Sequence, residues 1–553
     1  MSWFLCIMSQ KPFLEWEIEK FLKTHPYSKN TIIDSSFYFS YDCRKELLSK
    51  KIPSVEDPNL RIVMGRGYIS KNTGYSQADE KDWEKLLKHE FTPKDIDGHY
   101  MAINLRKNYF QATNDLYGHY PIYYVDAEDY ILISNVQQYI AAVLPEKEWD
   151  YTSIASMTLL PAYIDNQPYL TNISRMENGA TITIRKNEIK IANRKLNFIA
   201  EEEIDTQNYL FSLKKAFELQ LDENDFMSIP FENNQTSRFA FSVWCHKPKK
   251  NWGLYLRNDK TRKKSQQQLN PDKYIDSLIL NDLKIMSIPD FISGEEVFRL
   301  YKEYVLKTGL SDFPMTFGLA GSFKTDDFHE INLLSCHSNW LFESNPLSKT
   351  EKIYSLLKSN KYLSFKFNYV YSNYFFTKDL YNYLSNETKV YFKQIADELL
   401  NTETVYDKYY FLFKKFHINN RSVHLAWLND YRTFYSPGMF YSLAIKHLYQ
   451  RSNNKKLAKI SCQLHTSFAE ESKFYPKPVE NKDRFLDEKD ANMLYFPMII
   501  RQIGAMIEIS EEVPYYDYKK LIKLYKNAKN GNKTAVKMLL KWTAFEIWRE
   551  FLE

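Results

Sequence analysis

The chain has 553 residues and a mass of 66.0 kDa, more than one hydrophobic core usually holds, so two or three domains are expected. Hydrophobic residues make up 44% and charged residues 26%, which excludes a disordered chain. Basic and acidic residues number 74 and 69, a net charge of +5 that makes no electrostatic case for a nucleic-acid partner. Only 14 residues are Gly, against 42 Tyr and 37 Phe. Few places therefore let backbone approach a phosphate closely, and neither G-x-G-x-x-G nor G-x-x-x-x-G-K-[ST] occurs, which excludes the simplest dinucleotide and P-loop readings.

The amino-terminal run Trp3-Phe4-Leu5-Cys6-Ile7-Met8 is too short for a membrane span and reads as a buried strand. Short apolar or alternating runs follow at 37–40, 61–64, 100–105, 109–113, 122–125 and 130–134, with a hairpin at 180–191. Helices are predicted at 82–88 and 136–144. The acidic connector 200–205 then changes the texture. Helical periodicity appears at 209–217 and 293–306, between strand candidates at 227–230, 241–244, 253–256 and 331–334. Strands alternating with helices imply a parallel α/β sheet. After residue 350 the pattern is almost wholly helical, ending with 536–552. The dense basic run from Lys247 to Lys264 reads as a solvated loop. The five cysteines form no C-x-x-C pair and no disulfide ladder, so the expectation is a reduced, cytoplasmic protein with no metal site.

Four stretches fall in a telling order: Asp97-Gly98-His99-Tyr100-Met101-Ala102, then Asn114-Asp115-Leu116-Tyr117-Gly118-His119-Tyr120-Pro121-Ile122-Tyr123-Tyr124, then Ile133-Ser134-Asn135, then Thr171 through Ala180. Together they resemble the glutaminase domain of the asparagine synthetase family. Gly98, Gly118, Pro121 and Gly179 match fold-determining positions and are expected at turns. Downstream, Ile229 through Arg238 stands where the family has P-L-S-G-G-x-D-S-R, and Ile331 through Asn345 where it has L-x-G-x-G-x-D-E. Lys456 and the Tyr475-Pro476-Lys477-Pro478 stretch resemble later phosphate-pocket features. The resemblance implies an N-terminal Ntn-hydrolase-like αββα sandwich over residues 1–200. An α/β PP-loop synthetase-like domain over 206–480 follows, and 481–553 form its helical extension.

The chemistry of that family meets substitutions at each station. An N-terminal nucleophile hydrolase needs a nucleophile on its first residue, because the free α-amine serves as base. The family uses Cys; this chain has Ser2, whose hydroxyl is un-ionised near neutral pH, and Cys6 reads as core. The substrate-binding N-G-E turn corresponds to Met64-Gly65-Arg66, where Arg66 puts a cation in place of the carboxylate that receives the ammonium of glutamine. In the nucleotide loop, Glu232, Asn233, Asn234 and Thr236 replace Ser, two Gly and Asp, leaving Ser237 and Arg238 as matches. A pyrophosphate nest needs backbone N–H groups and no adjacent negative charge. In the second loop Trp340 stands nearest the expected metal-binding acid.

Two readings follow. The first is a catalytically degenerate member of the family that binds a protein or peptide partner in a bacterial peptide- or polysaccharide-tailoring pathway, with no cofactor. The alternative is an ATP-dependent amide ligase with a rebuilt loop that holds ATP and Mg²⁺ through Ser237, Arg238, Lys456 and Lys477, its glutaminase domain inactive. A Ser2-dependent amidase is a more distant third. No membrane association is expected, and homo-oligomerisation stays open.

Overall fold

The computed structural model describes most of residues 3–193, then 293–314, 372–401 and 488–553, with short strands and single residues between them. In chain order the first part contains β1 (Trp3–Ser9), α1 (Glu15–Thr24), β2 (Asn30–Asp34), β3 (Phe37–Asp42), β4 (Leu60–Lys71), β5 (Gly74–Gln77), α2 (Glu80–Leu87) and β6 (Asp97–Arg106). It continues with β7 (Tyr109–Asn114), β8 (Tyr123–Asp126), β9 (Tyr130–Ser134), α3 (Gln137–Val143), α4 (Tyr151–Leu159), β10 (Ser174–Arg175), β11 (Thr181–Arg185) and β12 (Glu188–Ala192). These strands form two six-stranded sheets, ordered β10-β8-β9-β1-β3-β2 and β12-β11-β7-β6-β4-β5. Every pairing within them is antiparallel.

β1 shows why the layers stack. Its apolar run has no polar face because both faces are covered. Phe4, Cys6 and Met8 join the layer between the sheets, with Met64, Met101, Ile103 and Phe110 of the second sheet. Trp3, Leu5 and Ile7 point the other way, into a core with Phe21 of α1 and Tyr139, Ile140 and Val143 of α3. On the far side of the second sheet, Tyr100 and Ala102 pack under Leu86 and Leu87 of α2. Asp79 caps that helix in a reciprocal box with Asp82. The result is helix, sheet, sheet, helix.

A third sheet is wholly parallel: β13 (Met227–Pro230), β14 (Trp252–Leu256), β15 (Lys284–Ser287), β16 (Asn332–Leu334) and β17 (Phe434–Tyr435), ordered β15-β14-β13-β16-β17. The parallel sheet agrees with the strand–helix alternation. After residue 350 the described residues are helical apart from the two-residue β17 and short turns, and the helix predicted over 209–217 and the strand over 241–244 lie wholly or mostly outside the described residues. The described residues also include five longer helices: α5 (Gly294–Thr308), α6 (Lys378–Leu400), α7 (Glu488–Ile509), α8 (Tyr518–Lys529) and α9 (Lys533–Leu552). No helix among the described residues is long and apolar enough to cross a membrane.

The largest apolar core ignores the sequence boundaries. It merges α3 and α4 of the sandwich with Val297, Tyr301 and Tyr304 of α5 and with Trp542, Ile547 and Trp548 of α9. Trp548 packs edge-on against Tyr169 at 5.2 Å between ring centroids and donates its Nε1–H to the Val305 carbonyl at 3.1 Å. Trp548→Ala should cost about 3–5 kcal/mol, the range for emptying a buried aromatic site. Urea denaturation followed by far-UV circular dichroism and by fluorescence should show both halves lost in one transition, shifted to lower urea.

Candidate functional site

Two places carry the residues singled out from the sequence. The first is the carboxyl edge of the parallel sheet. β13 and β16 are hydrogen-bonded neighbours, with Met227 opposite Asn332 and Ser228 opposite Leu333. Strand order runs outward from β13 through β14 to β15 on one side and through β16 to β17 on the other, so the connections diverge between β13 and β16. In open parallel sheets, ligands bind in the crevice outside the strand ends at such a switch point. β13 ends at Pro230 and is followed by Phe231-Glu232-Asn233-Asn234; β16 ends at Leu334 and is followed by Ser335 through Trp340. Both substituted loops thus depart from the two strand ends that flank the switch point. Glu232, Asn233, Asn234, Thr236, Ser237, Arg238, Trp340, Lys456 and Lys477 themselves lie outside the described residues, as does Ser2.

The second place is the crossing of β4 and β6. Arg66 is half-buried and sits opposite His99, between Gly65 and Gly67. Gly65 has φ +87°, and a Cβ there would lie 1.9 Å from the His99 carbonyl oxygen. Gly98 answers from β6 with φ +123°, and its Cβ would lie 2.3 Å from the Arg66 carbonyl oxygen. The two backbones approach more closely than any side chain permits. Gly98 is therefore inside a strand, a correction to the expected turn; Gly118 and Gly179 do occupy positive-φ turns, at +60° and +71°. A Cβ on Gly67 would meet the Trp83 ring at 2.4 Å. Arg66 thus lies between two glycines whose backbones are closely packed.

Behind this crossing lies a buried polar cluster. His119 is fully buried, and its Nδ1 lies 2.7 Å from Asp115 Oδ1. Asp115 Oδ2 accepts the His119 backbone N–H at 3.0 Å and the Tyr100 N–H at 3.4 Å. With Nδ1 as donor, the carboxylate fixes the tautomer and orientation of the imidazole. The His99 ring meets that of His119 edge to face, with centroids 3.7 Å apart. Gly179 closes the group by donating its N–H to Asn114 Oδ1 at 2.9 Å and to the Asp115 carbonyl at 3.0 Å. Asp97 is also buried at the start of β6. Asp115 and His119 are almost wholly enclosed, and their contacts with Tyr100 and His99 tie the turn after β7 to β6. The cluster was not foreseen from the sequence. Its signal was there: in Asp115-Leu116-Tyr117-Gly118-His119 a positive-φ glycine turns the chain so that residues four apart face each other.

The start of β1 is pinned by the third stretch of the resemblance. Asn135 Oδ1 accepts the Phe4 N–H at 2.9 Å, and Ser134 Oγ–H donates to the Phe4 carbonyl at 2.6 Å. Cys6 is fully buried, and burial pushes its thiol well above the usual range, so it stays protonated and unreactive. Among the described residues no group of three or more His, Cys, Asp or Glu could hold a metal ion.

No protein-family model matches the sequence, and no curated protein matches it. Among solved structures, one similar chain is a glutamine phosphoribosylpyrophosphate amidotransferase from B. subtilis complexed with ADP and GMP. Identity is 11% and the TM-score 0.22, over 54% of this chain and 77% of that one. Another is described as the allosteric regulatory enzyme of purine biosynthesis, at 9% identity and a TM-score of 0.21, over 52% of this chain and 80% of that one. The functional reading therefore rests on topology and residues.

The Gly65 contact yields a graded test. Gly531 also has positive φ, +81°, but nothing lies within 4 Å of a Cβ there. Gly531→Ala should cost about 1 kcal/mol, the left-handed backbone penalty alone. Gly65→Ala should cost about 1–3 kcal/mol more, because the added methyl also meets backbone. Urea titration of both variants reads the difference directly.

Proposed function

We propose that this chain is an asparagine-synthetase-like protein that has lost catalysis and acts by binding a protein or peptide partner, in keeping with a peptide- or polysaccharide-tailoring setting. The observation that carries this reading is the placement of the two substituted loops at neighbouring strand ends on a topological switch point. A nucleotide-dependent enzyme of this architecture would cradle pyrophosphate there. The sequence supplies Glu232, Asn233 and Asn234 to one loop and Trp340 to the other, with no glycine in 231–238 or 335–343. A carboxylate about 4 Å from a phosphate oxygen costs roughly 4 kcal/mol at an effective dielectric of 20, about three orders of magnitude in affinity. Two asparagine side chains also fill space that glycine would leave open.

In the sandwich, Arg66 replaces the carboxylate that the family resemblance calls for, and Ser2 replaces the thiol. A ligase that uses an amine from elsewhere is the second reading, favoured by the parallel strand order with its switch point between β13 and β16. It requires Ser237, Arg238, Lys456 and Lys477 to hold ATP–Mg²⁺ despite Glu232.

Glutamine should not be hydrolysed. Incubation of the protein with glutamine should release ammonia and glutamate at the blank rate, and Arg66→Glu alone should not raise it, because the hydroxyl of Ser2 remains a weak nucleophile. Release above blank that Ser2→Ala abolishes would remove the reading of the first domain as inactive.

A further inference from the structure

Among the described residues, the strongest charged feature outside these sites is α8. Its buried side chains, Leu521, Leu524 and Ala528, fall on one stripe against the core. Opposite that stripe, at helical spacing, stand Lys519, Lys523 and Lys526, all exposed; Lys529 and Lys533 extend the patch across the turn into α9. From Tyr518 to Phe545 the only charged residues are lysines. Lys520 pairs with Asp517 at 3.0 Å and Lys537 with Asp312 at 3.6 Å, whereas the five exposed lysines form no ion pair with a described residue. Like charges three and four residues apart on a helix repel, and a cation in the first turn opposes the helix dipole. The fold thus carries an unfavourable charge distribution in a chain whose total charge is nearly balanced, and an anionic partner would relieve it.

We infer that the outer face of α8 with the first turn of α9 docks an acidic segment of a partner polypeptide through Lys519, Lys523, Lys526, Lys529 and Lys533. Three features select this occupant. The apolar face of the helix is committed to the core, so α8 has nothing to insert into a bilayer. The patch is all lysine, without the guanidinium forks that read phosphates in pairs. The rings on the helix offer no stacking platform: Tyr518 and Tyr525 are half-buried, and the Tyr525 hydroxyl donates to the Ile500 carbonyl at 3.4 Å. Extended carboxylates facing point-like ammonium groups fit what remains.

This inference deepens the binding role proposed above, yet it stands apart from glutamine and ATP chemistry, so its test fails or succeeds independently. Full-length protein is titrated into a fluorescein-labelled Glu-rich peptide at near-physiological salt, with a single-stranded RNA of equal charge and phosphatidylserine vesicles as parallel probes. The expected result is saturable peptide binding, preferred over both other probes. Lys519→Glu, Lys523→Glu and Lys526→Glu together should weaken it about tenfold or more, the combined effect of several surface charge pairs. Lys81→Glu with Lys88→Glu on α2 should leave it unchanged. Circular dichroism establishes that each variant is folded. Absence of peptide binding, tighter binding of the RNA or the vesicles, or equal loss in the α2 variant would each overturn the inference.

Discussion

The structure depends on one helix whose middle has no outside. In α9, Ala535, Val536 and every residue from Met538 to Trp548 are buried, including Lys541 and Glu546. A helix enclosed on all sides must satisfy its charges internally. Lys541 Nζ donates to the Met157 carbonyl of α4, which ties the last helix to the sandwich. Glu546 accepts the Tyr516 hydroxyl at 2.5 Å and two donors from Arg549, at 2.9 and 2.6 Å, so its charge is matched where it lies. Burial, and then the Glu546 carboxylate, hold the Tyr516 hydroxyl protonated well above the usual phenol range. Tyr301 of α5 reaches the same helix at the Leu540 carbonyl, 3.3 Å away. Removing one member of such a set leaves a buried group without its counterpart, which is why the two halves of the chain are expected to stand or fall together.

Glycine is scarce in the chain, and its distribution is selective. It is kept where backbone meets backbone or a turn needs positive φ, at Gly65, Gly98, Gly118 and Gly179. It is absent from 231–238 and 335–343, the stretches that follow β13 and β16 in sequence. The Asp115–His119 pair carries the residue types of an acid–base device, and its contacts with Tyr100 and His99 anchor the turn after β7 to β6.

Much of the architecture was legible in the sequence because its periodicity was strong. β1 announced two covered faces by its unbroken apolar run, and the β11–β12 hairpin by its alternation. The parallel sheet followed from strands spaced by helical segments. What escaped has identifiable physical causes. α4 is buried from Ser153 through Leu159 and so lacks an amphipathic period. β10 and β17 are two residues long and exist only through their partners. Gly98 was taken for a turn because positive φ inside a strand is required by a neighbour, Arg66, that lies distant in sequence. The His99–His119–Asp115 contact likewise joins a strand to a turn, and only the fold brings them together.

The central proposal is that the chain binds no nucleotide at the strand ends of β13 and β16. Isothermal titration calorimetry of the unmodified protein with ATP and Mg²⁺ tests it most directly. The account predicts no saturable heat in the micromolar range, and only partial recovery of affinity in Glu232→Ser until Asn233→Gly and Asn234→Gly are added. Micromolar binding of ATP–Mg²⁺ to the unmodified protein, displaced by pyrophosphate, would contradict it and place an active ligase at those strand ends.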